Sequence, residues 1–223
     1  MHLEISYSQA STFEKCQRRW QYEKILNYPA KPQPQLIYGS KMHQQIEDYL
    51  NGLVLPGLED PNAPATKAVE LIKKWNPKNY EVERYYQMEL ETDNQVLVRG
   101  KADVVLEMDD YRAIVDWKSS QKKPTAKKAD GVRTQLSLYA YMAGLNNGDK
   151  IIAAYPQWPG AVYSMPYEKS MGEQSMAWIS SIAAKMKESI KIAIDGDLLE
   201  ATPTKLCNWC PYQDNCPQAY KGD

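Results

Sequence analysis

The sequence has 223 residues, of which 43% are hydrophobic and 25% charged, and its formal net charge is -1 at pH 7. This length fits one domain with a substantial core. The near-zero charge excludes a surface that is basic all over, so any contact with nucleic acid must rest on local clusters such as Lys122, Lys123, Lys127, Lys128 and Arg133. No apolar run approaches the roughly 20 residues that span a bilayer, and the start lacks a secretion signal, so we expect a cytoplasmic protein with reduced thiols.

The predicted elements alternate between helices and strands. Ser8 and Ser11 are candidate N-caps, and one or two helices extend to Leu26. Further helices are predicted over residues 39–50, 66–75, 133–145 and 171–194. Strands are predicted over 82–91, 95–107, 111–118, 151–155 and 161–167, and the short polar connections between the first three predict an antiparallel meander. Residues 51–64 and 121–130 are predicted loops, and the tail from Ala201 lacks apolar periodicity.

Acidic and basic residues lie within two of the predicted strands. Asp116-Trp117-Lys118 ends the run Ala113-Ile114-Val115, and Asp103 lies 13 positions earlier in Gly100-Lys101-Ala102-Asp103. Strand side chains alternate, so Asp116 and Lys118 point the same way and Trp117 points the opposite way. Two carboxylates on neighbouring strands can bind one or two divalent cations, and a lysine can place a water. Each acid alone is equally well explained as a solvated turn residue.

Three other polar residues have helical spacing that permits a role at this site. His43 follows Gly39 by four positions, although a lone histidine on an amphipathic helix is more often a core-edge residue. Gln135 and Tyr139 are four apart and share one helix face. On residue type alone they are a surface amide and a packed tyrosine.

The cysteines form a compact trio with one distant partner. Cys207, Cys210 and Cys216 are close in sequence, and Cys16 lies 191 residues before Cys207. Structural zinc usually joins two short-spaced pairs, whereas four thiolates can hold a [4Fe–4S] cluster. Iron–sulfur ligation is the favoured interpretation, and zinc or four unrelated buried thiols are the alternatives.

The order Gly39…His43, Asp103, Asp116-x-Lys118, Gln135-x3-Tyr139 and four cysteines resembles the RecB-like branch of the PD-(D/E)XK nuclease superfamily. Its four-cysteine members include the CRISPR-associated adaptation nuclease, the AddB nuclease domain and phage relatives. The resemblance implies an α/β fold with a restriction-endonuclease-like core, in which helices flank a central mixed sheet. An iron–sulfur lobe would join the two ends of the chain, with residues 1–223 as one nuclease domain and 1–28 plus 201–223 as the lobe.

The resemblance also implies roles for individual residues. His43, Asp103, Asp116 and the Trp117 carbonyl would bind Mg²⁺ or Mn²⁺, and Lys118 would handle the water nucleophile. Gln135 and Tyr139 would position DNA. Cys16, Cys207, Cys210 and Cys216 would hold a structural [4Fe–4S] cluster.

The function predicted on this basis is a metal-dependent deoxyribonuclease, an exonuclease on single-stranded or frayed DNA ends. Helicase, recombination or CRISPR-adaptation proteins are the expected protein partners, no membrane contact is expected, and a phage-encoded form would act in the host cytoplasm. Two alternatives remain open. The chain could be a DNA-end-binding or processing subunit with weak or regulatory nuclease activity, or a redox-sensing iron–sulfur module.

Overall fold

The computed structural model describes residues 2–53, 60, 62–158 and 160–222. The chain divides into two compact units. The first contains Met1–Pro34, Glu89–Arg99 and Ala177–Asp223, and the second contains Gln35–Met88 and Gly100–Met176. The prediction of one nuclease domain with a lobe made from residues 1–28 and 201–223 stays a prediction.

The described residues form strands and helices that alternate along the chain. The helices are α1 (Tyr7–Lys15), α2 (Gln17–Lys24), α3 (Pro34–Leu50), α4 (Pro64–Trp75), α5 (Ala126–Asp130), α6 (Arg133–Met142) and α7 (Lys169–Ile194). The strands are β1 (Leu3–Ser6), β2 (Asn79–Leu90), β3 (Asp93–Glu107), β4 (Arg112–Trp117), β5 (Lys150–Ala154) and β6 (Val162–Pro166). Two short 3-10 turns, Lys205–Trp209 and Gln213–Asn215, follow near the C-terminus.

The strands form a mixed sheet in the order β1-β3-β4-β5-β6, and β2 also pairs with β3. In the first unit β1 runs parallel to β3, with Leu3 opposite Val96. In the second unit β3 and β4 are antiparallel, β4 and β5 parallel, and β5 and β6 antiparallel. The α/β class and the mixed sheet flanked by helices are therefore confirmed.

In the second unit, α3 and α4 cover the sheet with a buried apolar cluster. Both helices have apolar residues at helical spacing, and β3, β4 and β5 supply alternate side chains to the same cluster. Its members are Met42, Ile46, Leu50, Ala65, Ala68, Val69, Ile72, Val104, Leu106, Ala113, Val115, Trp117, Ile152 and Ala154. This packing fixes α3, β3 and β4, on which His43, Asp103 and Asp116 lie.

Several local predictions were wrong. Ser6, not Ser8 or Ser11, caps α1, and its side chain accepts a hydrogen bond from the Gln9 amide. The prediction of a loop over 121–130 missed α5, whose N-cap is Thr125. Within the predicted loop 51–64, residues 54–59 and 61 lie outside the described residues. Among the described helices, none combines the length and the apolar character that crossing a bilayer requires.

Candidate active site and cysteine site

Asp103 and Asp116 lie on adjacent strands. The antiparallel register pairs Val104 with Val115. Asp103 precedes Val104 and Asp116 follows Val115, so the two aspartates are neighbours across the strands. Asp103 Oδ2 also accepts a hydrogen bond of 2.7 Å from the Trp117 backbone amide. This bond holds the Asp103 carboxylate against β4 and leaves its Oδ1 directed elsewhere. The strand pairing thus places two carboxylates side by side.

Asp116 is almost fully buried beside Lys118. Its Oδ2 lies 2.7 Å from the Lys118 ammonium, but no donor reaches this oxygen with hydrogen-bond geometry. Burial raises the pKa of Asp116 to about 6, although the Lys118 charge opposes the shift. Burial alone would lower the pKa of Lys118, but the Asp116 carboxylate outweighs it and raises that pKa. A further positive charge near the pair would therefore favour the ionised form of the Asp116 carboxylate.

Trp117 points away from this pair and anchors the strand. Its side chain is 1% exposed within the apolar cluster, and its ring stacks on that of Trp75 at 6.3 Å between centroids and 6° between planes. The indole therefore fixes the backbone between Asp116 and Lys118. That the Trp117 carbonyl binds metal stays a prediction.

His43 reaches Asp103 from α3. Its Nδ1 lies 3.4 Å from Asp103 Oδ1. Burial by itself would lower the pKa of His43, but the hydrogen bond and charge of Asp103 raise it overall. One turn earlier, a Cβ on Gly39 would lie only 3.1 Å from Ser119 Oγ, so glycine lets α3 approach the end of β4. This approach explains physically why glycine precedes His43 by one turn.

Gln135 and Tyr139 contact the lysine of the acidic pair. Lys118 Nζ donates to Gln135 Oε1 at 3.0 Å, and Gln135 Nε2 donates to the Tyr139 hydroxyl at 3.2 Å. Burial raises the pKa of Tyr139, so its hydroxyl stays protonated near neutral pH. The side chains of α6 therefore support Lys118, and their predicted contact with DNA stays a prediction.

Glu83 on β2 is a candidate residue that the sequence alone does not select. The potential ligand atoms of His43, Glu83 and Asp103 all lie within 4.8 Å of one another. Glu83 also forms an ion pair with Lys101. In the sequence, Glu83 and Glu89 both lie in the strand before Asp103 and could reach the site, but charge on a strand face is the simpler explanation of either. Only the folded backbone selects Glu83.

The four cysteines lie together in the first unit. Cys16 separates α1 from α2, and Cys207, Cys210 and Cys216 lie on or directly after the two 3-10 turns. All four are free thiols of intermediate burial, and all four line one small cavity. Burial raises the pKa of the Cys210 thiol, while the nearby Arg19 charge favours its thiolate.

Protein contacts also join α2 to the C-terminal segment within this unit. Arg18 Nε donates to the Leu199 carbonyl at 2.6 Å, and Gln21 Nε2 donates to the Asp197 carbonyl at 2.8 Å. The Tyr22 hydroxyl donates to the Asn215 carbonyl at 3.0 Å. These bonds bring the distant Cys16 to the other three thiols.

Comparison with protein families matched the model described as the PD-(D/E)XK nuclease superfamily over residues 4–75 and 59–217. A comparison with curated proteins found no match. Among solved structures, the protein SSO0001 is 14% identical with a TM-score of 0.59, over 99% of this chain and 89% of that one. A protein from Eubacterium rectale named "Putative exonuclease" is 14% identical with a TM-score of 0.58, over 99% of this chain and 90% of that one. At these identities the two structures establish a shared fold.

Proposed function

This chain belongs to the PD-(D/E)XK nuclease superfamily, and we propose that it is a metal-dependent DNA nuclease, specifically an exonuclease on single-stranded or frayed ends. One observation carries the proposal. Asp103 and Asp116 are adjacent on antiparallel strands, with Lys118 against Asp116 and His43 against Asp103. The exonuclease name of the Eubacterium rectale protein, whose fold is similar, agrees with it.

The donor set fits a hard divalent cation. Carboxylates and an imidazole suit Mg²⁺ or Mn²⁺, and the buried Asp116 Oδ2 lacks a donor in hydrogen-bond geometry. His43, Asp103, Asp116 and the Trp117 carbonyl would hold the ion, which when bound stabilises charge that develops on the scissile phosphate.

The other side chains would position the reactants. Lys118, held by Gln135, can orient the attacking water through its ammonium protons. Tyr139 holds the Gln135 amide through its hydroxyl. The exposed Lys122, Lys123 and Lys127 can contact DNA phosphates.

End-labelled single- and double-stranded DNA, incubated with Mg²⁺, Mn²⁺ or Ca²⁺, tests the proposal. We expect cleavage with Mg²⁺ or Mn²⁺ and binding without cleavage with Ca²⁺, whose looser coordination aligns the water poorly. Asp116→Asn and Lys118→Met should each lower the rate by about a thousandfold or more, because several kcal/mol of transition-state stabilisation are lost. Lys74→Met, which alters an exposed lysine on α4 outside the site and the DNA-contact lysines, is the matched control. Tight binding of DNA ends without cleavage would instead support the end-binding alternative.

The cysteine site fits a structural [4Fe–4S] cluster, which is the second part of the proposal. Four free thiols around one cavity are a suitable ligand set. Structural zinc usually joins two short-spaced pairs of ligands, whereas here three cysteines close in sequence share the cavity with one distant cysteine, Cys16. This ligand pattern favours a multi-iron cluster over one zinc ion.

A further inference from the structure

The environment of Glu83 differs from that of the other acidic residues on β2. Its side chain is 13% exposed, whereas that of Glu81 is 51% exposed and pairs with Arg84. The Glu83 backbone has φ of +53°, a left-handed conformation that is rare for a non-glycine residue and unusual within a strand. The side chain lies against β3, where it pairs with Lys101 and approaches Asp103.

The carboxylate of Glu83 completes a set of three donors. His43, Glu83 and Asp103 each offer one potential ligand atom, and these three atoms lie within 4.8 Å of one another. Ligands on opposite sides of an ion as small as Mg²⁺ or Mn²⁺ are about 4.2 Å apart. One ion can therefore contact all three with small side-chain shifts. Asp116 is not part of this trio in the described residues, because its carboxylate is held beside Lys118.

We propose that Glu83 is a further metal ligand of this nuclease, and that Lys101 neutralises it until a divalent cation binds. The inference rests on the proposed function, because it adds a donor to the same site. Among the described residues, two carboxylate–lysine pairs lie beside Asp103: Glu83 with Lys101, and Asp116 with Lys118. In each pair the lysine ammonium balances the charge of the carboxylate, as a bound metal cation would. Lys101 is about half exposed, so it can move into solvent when the ion arrives.

The alternative is that Glu83 and Lys101 form only a structural ion pair. The two hypotheses differ in the change of metal affinity that they predict when Lys101 is removed. If Lys101 competes with the cation, removing it strengthens metal binding, whereas removing Glu83 weakens it. If the pair is only structural, both substitutions lower stability and neither changes metal affinity in a specific direction.

Mn²⁺ titration of the intact protein without DNA, followed by electron paramagnetic resonance of free Mn²⁺, separates these ideas. We expect Glu83→Gln to weaken Mn²⁺ binding by about tenfold or more, or to lower the number of ions bound, and Lys101→Met to tighten it. Glu81→Gln, on the same strand, is the matched control and should bind as wild type. Circular dichroism and thermal melting of each variant show that the fold is retained.

The outcomes distinguish this inference from the proposed function. Wild-type Mn²⁺ affinity in a folded Glu83→Gln protein, together with lost binding in Asp103→Asn, would overturn the role of Glu83 and leave the nuclease site intact. Equal weakening by Glu83→Gln and Lys101→Met would also overturn it, in favour of a structural pair. Wild-type protein that binds no Mn²⁺ and cleaves no DNA would overturn both.

Discussion

At the residue scale, the proposed metal site would couple metal binding to proton release. An imidazole must be neutral and a carboxylate ionised before either binds a cation. Asp103 raises the pKa of His43, and burial raises the pKa of Asp116 to about 6. Protons and a metal ion would therefore compete for the same atoms, at Asp116 near pH 6.

We expect Mn²⁺ affinity to fall as the pH drops from about 8 to about 5, with protons released on binding near pH 6. Isothermal titration calorimetry in buffers of different ionisation enthalpy measures this release. In Asp116→Asn one titrating group is gone, so fewer protons should be released. An affinity that is independent of pH over this range would contradict the assignment of both ligands.

The same shifts set the stability of the metal-free protein. Asp116 has a raised folded-state pKa, so between its ordinary value near 4 and about 6 the folded chain holds a proton that the unfolded chain releases. His43, also raised, contributes stability below its ordinary pKa that is lost as pH rises through its folded-state value. Both groups therefore favour folding at the lower pH, opposite to the trend for metal binding.

The position of Gln135 indicates a role in supporting Lys118, whereas the sequence predicts a role in positioning DNA. Its amide oxygen accepts from Lys118, so replacing it frees the ammonium that is proposed to orient water. We expect Gln135→Leu to lower kcat by about tenfold or more and to change DNA affinity, measured by fluorescence anisotropy in Ca²⁺, much less. Gln174→Leu, an exposed glutamine on α7, is the control. Weaker DNA binding at an unchanged kcat would return Gln135 to the DNA-positioning role that the sequence predicts.

At the element scale, close approach of α6 to β3 depends on Gly100. A Cβ there would lie 2.6 Å from Tyr139 Cε1 and 2.7 Å from Met142 Cε. We expect Gly100→Ala to lower the free energy of unfolding by about 1–3 kcal/mol, because the Tyr139 ring must move. Chemical denaturation measures the loss. In a Tyr139→Leu background the same substitution should cost less, and an equal cost in both backgrounds would show that Tyr139 is not what the extra methyl group meets.

The elements also show what sequence patterns can and cannot predict. Long periodic segments such as α7, and the alternating strands β3 and β4, were predicted nearly to their ends. The strand β1 was missed because it has four residues and acquires its identity by pairing with β3. The first turn of α3 was missed because Pro29, Pro32 and Pro34 together indicate a break in regular structure. Pro34 is instead the first residue of the helix, a position that proline favours.

The candidate site divides in the same way. Asp103, Asp116 and Lys118 could be recognised because strand alternation is local, and the fold brings them together with His43. Glu83 could not be distinguished from Glu89 in the same strand, because only the folded backbone shows that Glu83 lies beside Asp103 and His43. The contact of Gln135 with Lys118 depends on how α6 packs, and no sequence spacing encodes that distance.

At the scale of the whole molecule, both compact units draw on distant parts of the chain. In the first unit, the N-terminal helices and the C-terminal segment are joined by hydrogen bonds from Arg18, Gln21 and Tyr22. A cluster on Cys16 and the C-terminal trio would add a covalent link across a loop of 191 residues. Closing so long a loop restricts the unfolded chain strongly.

We expect the protein purified without oxygen to be brown, with broad absorbance near roughly 400 nm and about four irons per chain. Cys16→Ser should lose the absorbance and the iron, and should lower the melting temperature and the nuclease rate, because the cross-link between the chain ends is gone. The hydrogen bonds of α2 remain, so partial stability should persist. Ser11→Ala, which alters the same N-terminal segment without touching a thiol, is the control.

Colourless protein that carries zinc on four thiolates would contradict the iron assignment and keep the cross-link. A Cys16→Ser protein with full iron content and an unchanged melting temperature would contradict the cross-link as well.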